Sequence, residues 1–481
     1  MSARAILLAA SLVGLGATIA AGDSRAVDLF HTQRAIPAAA ASPILAGHAI
    51  CSFGAPSNPL TLREAVERAL CTGPDTRDAW TIIEERAAAV GVSKAAYLPT
   101  LTATGQLVHD DSVTNVRDHA SLSSNYSTIV QSDSLQLGWV LYDFGGRRAA
   151  LKNAKALLSA AQANEDAVLQ QTFSDTAKAY YSAQAAMEQL VADAAIVADA
   201  RDSSIAAQER ITRGAAPSTE GYQALTAYEQ ALVTQTKDRG LAAAALGTLA
   251  NAMGLSPDTA LTLESVDQNR LPNKGFTDTV AALMQHAERT HPAVLAAEKE
   301  LEASQAAIVQ AKAQGRPTVK LVGDYSRNNE PVQLGLGLPH YPATGHDGYV
   351  GFQVSIPLFS GFATHYQVRQ AQAQLDQQSV ALDKARQQVA LQVWTSYQTL
   401  QTDTQNLYAS LRLQEVATQA WESAQRRYKS GIGTILELLS TQTALAQARQ
   451  MRVEAITGWR YDRLALASAL GQLGWDDLSD Q

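Results

Sequence analysis

Glu220 and Glu437 stand just past Gly214 and Gly431, and the two glutamates occupy the same place in two copies of one sequence unit. A carboxylate in the first turn of a helix is favoured by the macrodipole, so each also reads as an ordinary solvated helix start. Tyr428, just before Gly431, is either a latch aromatic or a packed core tyrosine. Cys51 and Cys71 are the only cysteines; in an oxidising compartment they form a disulfide, and otherwise they are two free thiols. His48-Ala49-Ile50 lacks the small residue that a lipidation site needs before Cys51. His340 and His346 flank Pro- and Gly-containing loop sequence and do not make a metal set, and Gly335-Leu336-Gly337 is a loop glycine pair rather than a phosphate cradle. No nucleophile and base fall at a recognisable spacing. The chemistry on offer is charge and closure, with no enzyme activity, cofactor or metal expected.

The elements that carry these residues are exported. Residues 1–22 read as a signal peptide: Arg4, an apolar stretch Ala5–Val13, then small residues, with cleavage near Ala20–Gly22. No later run approaches the ~20 apolar residues of a spanning helix. A net charge of −8 without a Lys/Arg cluster argues against nucleic acid as a partner.

The rest of the chain is a duplication. At an offset of 218, Pro74, Glu84, Lys94, Pro99, Thr100 and Gly105 meet Pro292, Glu302, Lys312, Pro317, Thr318 and Gly323. After one slip, an offset of 217 brings Ala154, Gly214, Glu220 and Gly254 onto Ala371, Gly431, Glu437 and Gly471. An extended segment 23–59 therefore precedes repeat 1 (60–270) and repeat 2 (271–474), with a tail at 475–481. Each repeat reads as a helix (Leu62–Tyr97; Thr279–Gln314), two strands, a very long helix (147–213; 363–430) and a returning helix (219–253; 434–470). The long runs contain no Gly or Pro and would make roughly 100 Å of helix each. Apolar residues step by three and four along the first of them: Leu151, Ala154, Leu158, Ala161; Leu169, Phe173, Ala177, Tyr180; Leu190, Ala194, Val197.

The strands are expected at about 100–110, 131–142, 317–326 and 348–358. They alternate apolar and polar residues over the length of a transmembrane barrel strand. The connecting segments His109–Asp133 and Ser326–Gly348 are polar and longer than a soluble hairpin needs. Trp139, Tyr142, Tyr325 and Phe359 are candidates for an interfacial aromatic girdle. Four strands cannot close, and an open edge has unpaired N–H and C=O groups that lipid does not satisfy, so the membrane unit must be an oligomer.

Several segments resemble the TolC family of outer-membrane channels: Ala95-Ala96-Tyr97-Leu98-Pro99, the joints Leu141-Tyr142-Asp143-Phe144-Gly145 and Pro357-Leu358-Phe359-Ser360-Gly361, and Arg427-Tyr428-Lys429-Ser430-Gly431 running into Thr434–Leu439. The resemblance spans about residues 55–474. It implies a mainly α protein with a transmembrane β-barrel part: a homotrimer whose twelve-stranded barrel sits in outer-membrane lipid and continues as a periplasmic helical tunnel. It also implies docking of an adaptor protein and an inner-membrane ABC or RND transporter at the hairpin-tip turns Gly214, Gly431 and Gly433, and no cofactor. Glu220 and Glu437 would each give a ring of three carboxylates at a closable entrance, favouring cations, with Tyr428 as latch aromatic. Relatives can carry a second acid where this chain has Ser440 and an arginine where it has Gly433, so the resemblance implies a latch that is either weaker or wired differently here. Gly145 and Gly361 would mark the strand-to-helix joints.

Cys51 with the stretch Leu70–Trp80 resembles the CyaE-like branch, which serves type I export of an adenylate cyclase–haemolysin. Protein secretion is accordingly the first expectation, small-molecule or metal efflux the second, and a pore-less periplasmic coiled-coil adaptor the third.

Overall fold

The computed structural model describes residues 28–38, 51–265, 279–335 and 338–473. The signal segment, the tail from residue 474 and Leu336-Gly337 lie outside the described residues. In chain order the elements are α1 (Leu62–Thr72), α2 (Pro74–Ala95), β1 (Thr100–Thr114), β2 (Ser124–Tyr142), α3 (Gly146–Thr212), α4 (Ser218–Ala252), α5 (Val280–Thr290), α6 (Pro292–Ala313), β3 (Thr318–Asn328), β4 (Val332–Gln333), β5 (His340–Tyr341), β6 (Gly345–Ser355), α7 (Ala363–Lys429) and α8 (Ile435–Ala469). Helices α3 and α7 have 67 residues each. No helix among the described residues is long and apolar enough to cross a membrane.

The first helix of each repeat is divided rather than continuous. Thr61 caps α1 by accepting from Glu64 N at 3.2 Å, and the helix stops at Gly73, where Pro74 starts α2. Thr279 caps α5 in the same way, and the chain breaks at His291 before Pro292. The proline disfavours helical geometry in the residue before it while suiting the first position of the next helix.

The chain forms two compact units. One contains the strands, residues 28–36 and the adjoining ends of α2, α3, α6 and α7. Its antiparallel sheet has the order β1-β2-β3-β6, so β1 and β6 are open edges. Register sorts the side chains by chemistry. Leu101 lies opposite Leu137, Leu137 opposite Gly323 and Gly323 opposite Val350; Trp139 pairs with Leu321, and Leu321 with Phe352. The other face carries Thr102 opposite Gln136, Gln136 opposite Asp324, and Lys320 opposite Gln353. The apolar face is uncovered: Leu107 is 72% and Phe352 76% exposed. A bulge at Leu141 interrupts the predicted alternation, so Tyr142 rather than Leu141 is opposite Val319.

Strands β1 and β2 outrun the sequence-based bounds. Pairing continues to Thr114 and Ser124, so much of the segment 109–133 expected as loop is ladder. The apolar alternation ends at Leu107, and beyond it His109, Asp110 and Asp111 face Ile129, Thr128 and Ser127. Alternation marks the stretch with an apolar face, whereas backbone pairing needs no apolar face. The β4–β5 hairpin lies against this extension, with the His340 and Tyr126 rings 4.1 Å apart and Asn329 Nδ2 donating to Ile129 O at 3.2 Å.

The second unit holds the remainder of the helices. Its core is the row Leu169, Phe173, Ala177 and Tyr180 of α3, packed with Val66 and Leu70 of α1, Leu249 of α4 and Leu464 of α8. The row predicted further along, Leu190, Ala194 and Val197, is not the buried one: Ala194 is exposed, and Asp193, Ala200, Ser203 and Ala207 take the inner positions. Polar residues share that seam, so apolar spacing does not locate it. Cys51 and Cys71 are disulfide-bonded. Arg68 reinforces this clip, pairing with Glu64 at 2.8 Å and donating to the Gly54 and Ala55 carbonyls at 3.0 and 3.1 Å.

Phe352→Arg, on the apolar face, is expected to cost about 2–4 kcal/mol and to deplete the oligomer, whereas Gln353→Arg on the opposite face leaves assembly intact. Recovery of heat-resistant oligomer in unboiled gels measures both.

Candidate functional site

Both hairpin tips are built the same way. Gly214 and Gly431 adopt φ of +71° and +80°, which suits glycine. Gly214 N donates to Ile211 O at 2.9 Å and Ala215 N to Arg210 O at 2.8 Å; in repeat 2, Gly431 N donates to Tyr428 O at 3.0 Å and Ile432 N to Arg427 O at 3.1 Å. These bonds satisfy the last carbonyls of α3 and α7 and turn the chain back. Thr434 then caps α8, accepting from Glu437 N at 3.2 Å.

The tip chemistry joins the two hairpins. Tyr428, 1% exposed, donates through its hydroxyl to Glu220 Oε2 at 3.1 Å. Burial raises the Tyr428 pKa, and the bond and charge of Glu220 raise it further, so the phenol stays protonated and keeps donating. Arg210 of the first hairpin stacks on the Tyr428 ring at 4.6 Å and reaches Gly433 O at 3.4 Å, a long contact. A Cβ on Gly433 would come within 2.8 Å of Tyr428 N, so the glycine admits this close turn. Beneath the ring pack Ala207, Ala224, Ile435 and Leu438.

Of the predicted entrance residues, Tyr428, Glu220 and Gly433 are therefore brought together. Glu437 is not part of that cluster; its Oε1 pairs with Arg427 Nε at 3.4 Å. Neither carboxylate is free, since each has a partner within the protomer. Ser440 donates back to Glu437 O at 3.0 Å and adds no charge. Arg210 was missed by sequence reasoning. Its signal was the duplication itself, because Arg210 matches Arg427 at the offset of 217. It supplies the tip with an arginine although position 433 has none.

The strand-to-helix joints reverse the chain with two consecutive positive-φ residues each, Phe144 and Gly145 in repeat 1, Gly361 and Phe362 in repeat 2. Glycine and phenylalanine exchange places between the copies. In repeat 1, Arg147 fastens the joint. It pairs with Asp143 at 3.3 Å, donates to the Val140 and Leu141 carbonyls at 2.6 and 3.1 Å, and lies 4.8 Å over the Tyr97 ring. Trp139 Nε1 donates to Tyr97 O at 2.8 Å, so this girdle candidate is also part of the fastening. Thr364 and Ser360 hold the equivalent positions of repeat 2, with hydroxyls 3.2 Å apart. There Phe359 and Phe362 are 77% and 67% exposed, an apolar surface left for lipid or a neighbouring copy.

Higher in the second hairpin, Asp462 of α8 hydrogen-bonds the carboxyl of Asp403 on α7; burial first, then this neighbour, pushes the Asp462 pKa up to about 7. Among the described residues no group of three His, Cys, Asp or Glu side chains could hold a metal.

The family described as "Outer membrane efflux protein" matches residues 65–255 and 283–472. Protein CyaE of Bordetella pertussis is 32% identical over 416 residues, covering 86% of this chain and 85% of the relative. Outer membrane protein TolC of Escherichia coli is 23% identical, covering 91% and 87%. The crystal structure of the outer membrane protein VceC from Vibrio cholerae superposes with a TM-score of 0.71 at 20% identity, covering 85% of this chain and 96% of that one.

The Asp403–Asp462 pair makes stability depend on pH. The folded state holds a proton on Asp462 up to about pH 7, whereas an ordinary aspartate loses it near 3.8, so its contribution is complete below about pH 4 and is lost as pH rises through 7. Asp462→Asn is expected to flatten the fall in melting temperature between pH 5 and 8, measured by scanning calorimetry at fixed ionic strength.

Proposed function

Because the chain belongs to the outer membrane efflux protein family, we propose that three copies form one export duct through the outer membrane of a Gram-negative cell, fed from the periplasm by an adaptor and an inner-membrane transporter. One observation carries the reading: a four-stranded sheet with one uncovered apolar face, one polar face and two open edges. Three such sheets joined edge to edge make a closed barrel of twelve strands, with the apolar faces toward lipid and the polar faces lining the passage. Helices α3 and α7, each roughly 100 Å long, supply walls for the periplasmic part of the duct. Nothing in this arrangement acts chemically on cargo; the duct conducts it.

The hairpin tips are the entrance. The Tyr428–Glu220 bond and the Arg210 stack hold the second hairpin against the first, and opening the entrance requires breaking them. The turns at Gly214, Gly431 and Gly433 are exposed or closely packed tip backbone that an adaptor would engage. Glu220 and Glu437, brought around a three-fold axis, bias the entrance toward cations, with the field of Glu437 reduced by Arg427 while that pair is intact.

For cargo, the reading is a protein exported by a type I system, driven by an ABC transporter. It rests on the higher identity to the Bordetella pertussis relative than to the Escherichia coli one and on the N-terminal segment around Cys51 and Cys71. The family's own description favours a second reading, small-molecule efflux, and the genes beside this one discriminate the two.

Single-channel conductance in a planar bilayer tests the entrance. Tyr428→Phe keeps the ring beneath Arg210 and removes one bond to a carboxylate, worth about 1–2 kcal/mol, so the open population should rise roughly tenfold. Glu220→Ala with Glu437→Ala should abolish cation preference; a preference unchanged in the double variant removes the carboxylates from selectivity. No conductance from either variant, despite intact oligomer, would overturn the latch.

A further inference from the structure

Helices α3, α4 and α8 line a partly open cavity of about 350 Å³, bordered in part by Gln189, Asp193, Asp238, Gln442, Gln447 and Gln450. Its lining contains two aspartates and no Lys, Arg or His. Asp193 is only 3% exposed. Its Oδ1 accepts from Gln189 Nε2 at 2.9 Å, while its Oδ2 is sealed from solvent without a donor. The group nearest in kind is the Asp238 carboxyl, close enough to share a hydrogen bond if one of the two is protonated. With both ionised, two acceptor oxygens face one another and nothing balances them. Gln442 of α8, 8% exposed, adds a second buried orphan: its Oε1 has no partner. Burial pushes the Asp193 pKa up, as expected for a carboxylate without a counter-charge, and Asp238 adds to the shift despite the Gln189 bond.

An uncompensated buried carboxylate and an unsatisfied amide oxygen are each costly, and both would be relieved by one positive charge placed among them. The donors are carboxylate, amide and hydroxyl oxygens without thiol or imidazole, a set that suits hard cations and not soft ones. Two carboxylates are what a magnesium-like ion commonly takes from protein while it keeps several waters, and the cavity has room for a hydrated ion. We propose that this cavity is a divalent-cation site of the magnesium or calcium class, held by Asp193 and Asp238 with Gln442 as neutral oxygen donor. Its ligands come from α3, α4 and α8, so the ion ties the returning helix of the second hairpin to both arms of the first. The site is separate from Glu220 and Glu437, and it would clamp the helices behind the entrance rather than charge the entrance itself.

Titration calorimetry of the full chain, purified as detergent-solubilised oligomer, with MgCl2 and with CaCl2 tests the proposal. Saturable binding of one ion per protomer is expected. It should weaken by at least about tenfold in Asp193→Asn with Asp238→Asn, weaken in Gln442→Leu, and persist in Glu437→Gln. Binding that survives the double asparagine change, or disappears in Glu437→Gln, would move the ion to the entrance and overturn the site. Absence of any saturable cation uptake, with proton uptake by Asp193 alone, would overturn it too. If the double variant does not assemble, Gln442→Leu decides, because it leaves both carboxylates in place.

Discussion

A backbone in hydrocarbon must pair every N–H and C=O with another part of the protein. Among the described residues the main sheet has four strands, and the outer edges of β1 and β6 are left without partners. Four strands cannot close a barrel, so that deficit calls for further copies at both edges. It also fixes which parts of the sheet are free to vary. The apolar face must remain apolar for the height of the bilayer, while the polar face and the extensions beyond Leu107 answer only to water and to each other.

The duplication provides a scaffold twice, and the working charges are placed in one copy or between the two. The joint of repeat 1 is fastened by Arg147, Asp143, Tyr97 and Trp139. Its counterpart in repeat 2 has two hydroxyls and exposed phenylalanines. At the tips the backbone turns are the same, yet the buried hydroxyl is in repeat 2 and the arginine that covers it is in repeat 1. Where repeat 2 has Tyr428, repeat 1 has Ile211. The tips thus share an arginine and a glutamate, and only the second carries the tyrosine.

The helical walls are not apolar seams throughout. Near the first unit's sheet and in the core around Phe173 the spacing of apolar residues identifies the buried row. Farther along, the inner positions hold Asp193, Ser203 and, on the partner helices, Gln442 and Asp462. Packing with so many small and polar groups lowers the apolar gain per residue.

What the sequence determined by itself was whatever depends on local pattern. The strand faces followed from alternation, the tip turns from Gly214 and Gly431, and the repeated architecture from a register held with one slip, whereas the breaks at Pro74 and Pro292 divide helices that read as continuous in the sequence. The apolar-faced stretches of the strands were legible for the same reason, although the strand ends were not. Only the tertiary structure decided that Tyr428 is a buried donor to Glu220, that Arg210 serves the position where Gly433 has no side chain, and that Glu437 is held by Arg427. Those pairs join residues distant in the chain, and nothing in the local sequence states which carboxylate a given arginine or tyrosine will meet. The buried aspartates were invisible in the same way, because a polar residue at an inner position looks, in one dimension, like every polar residue that faces water.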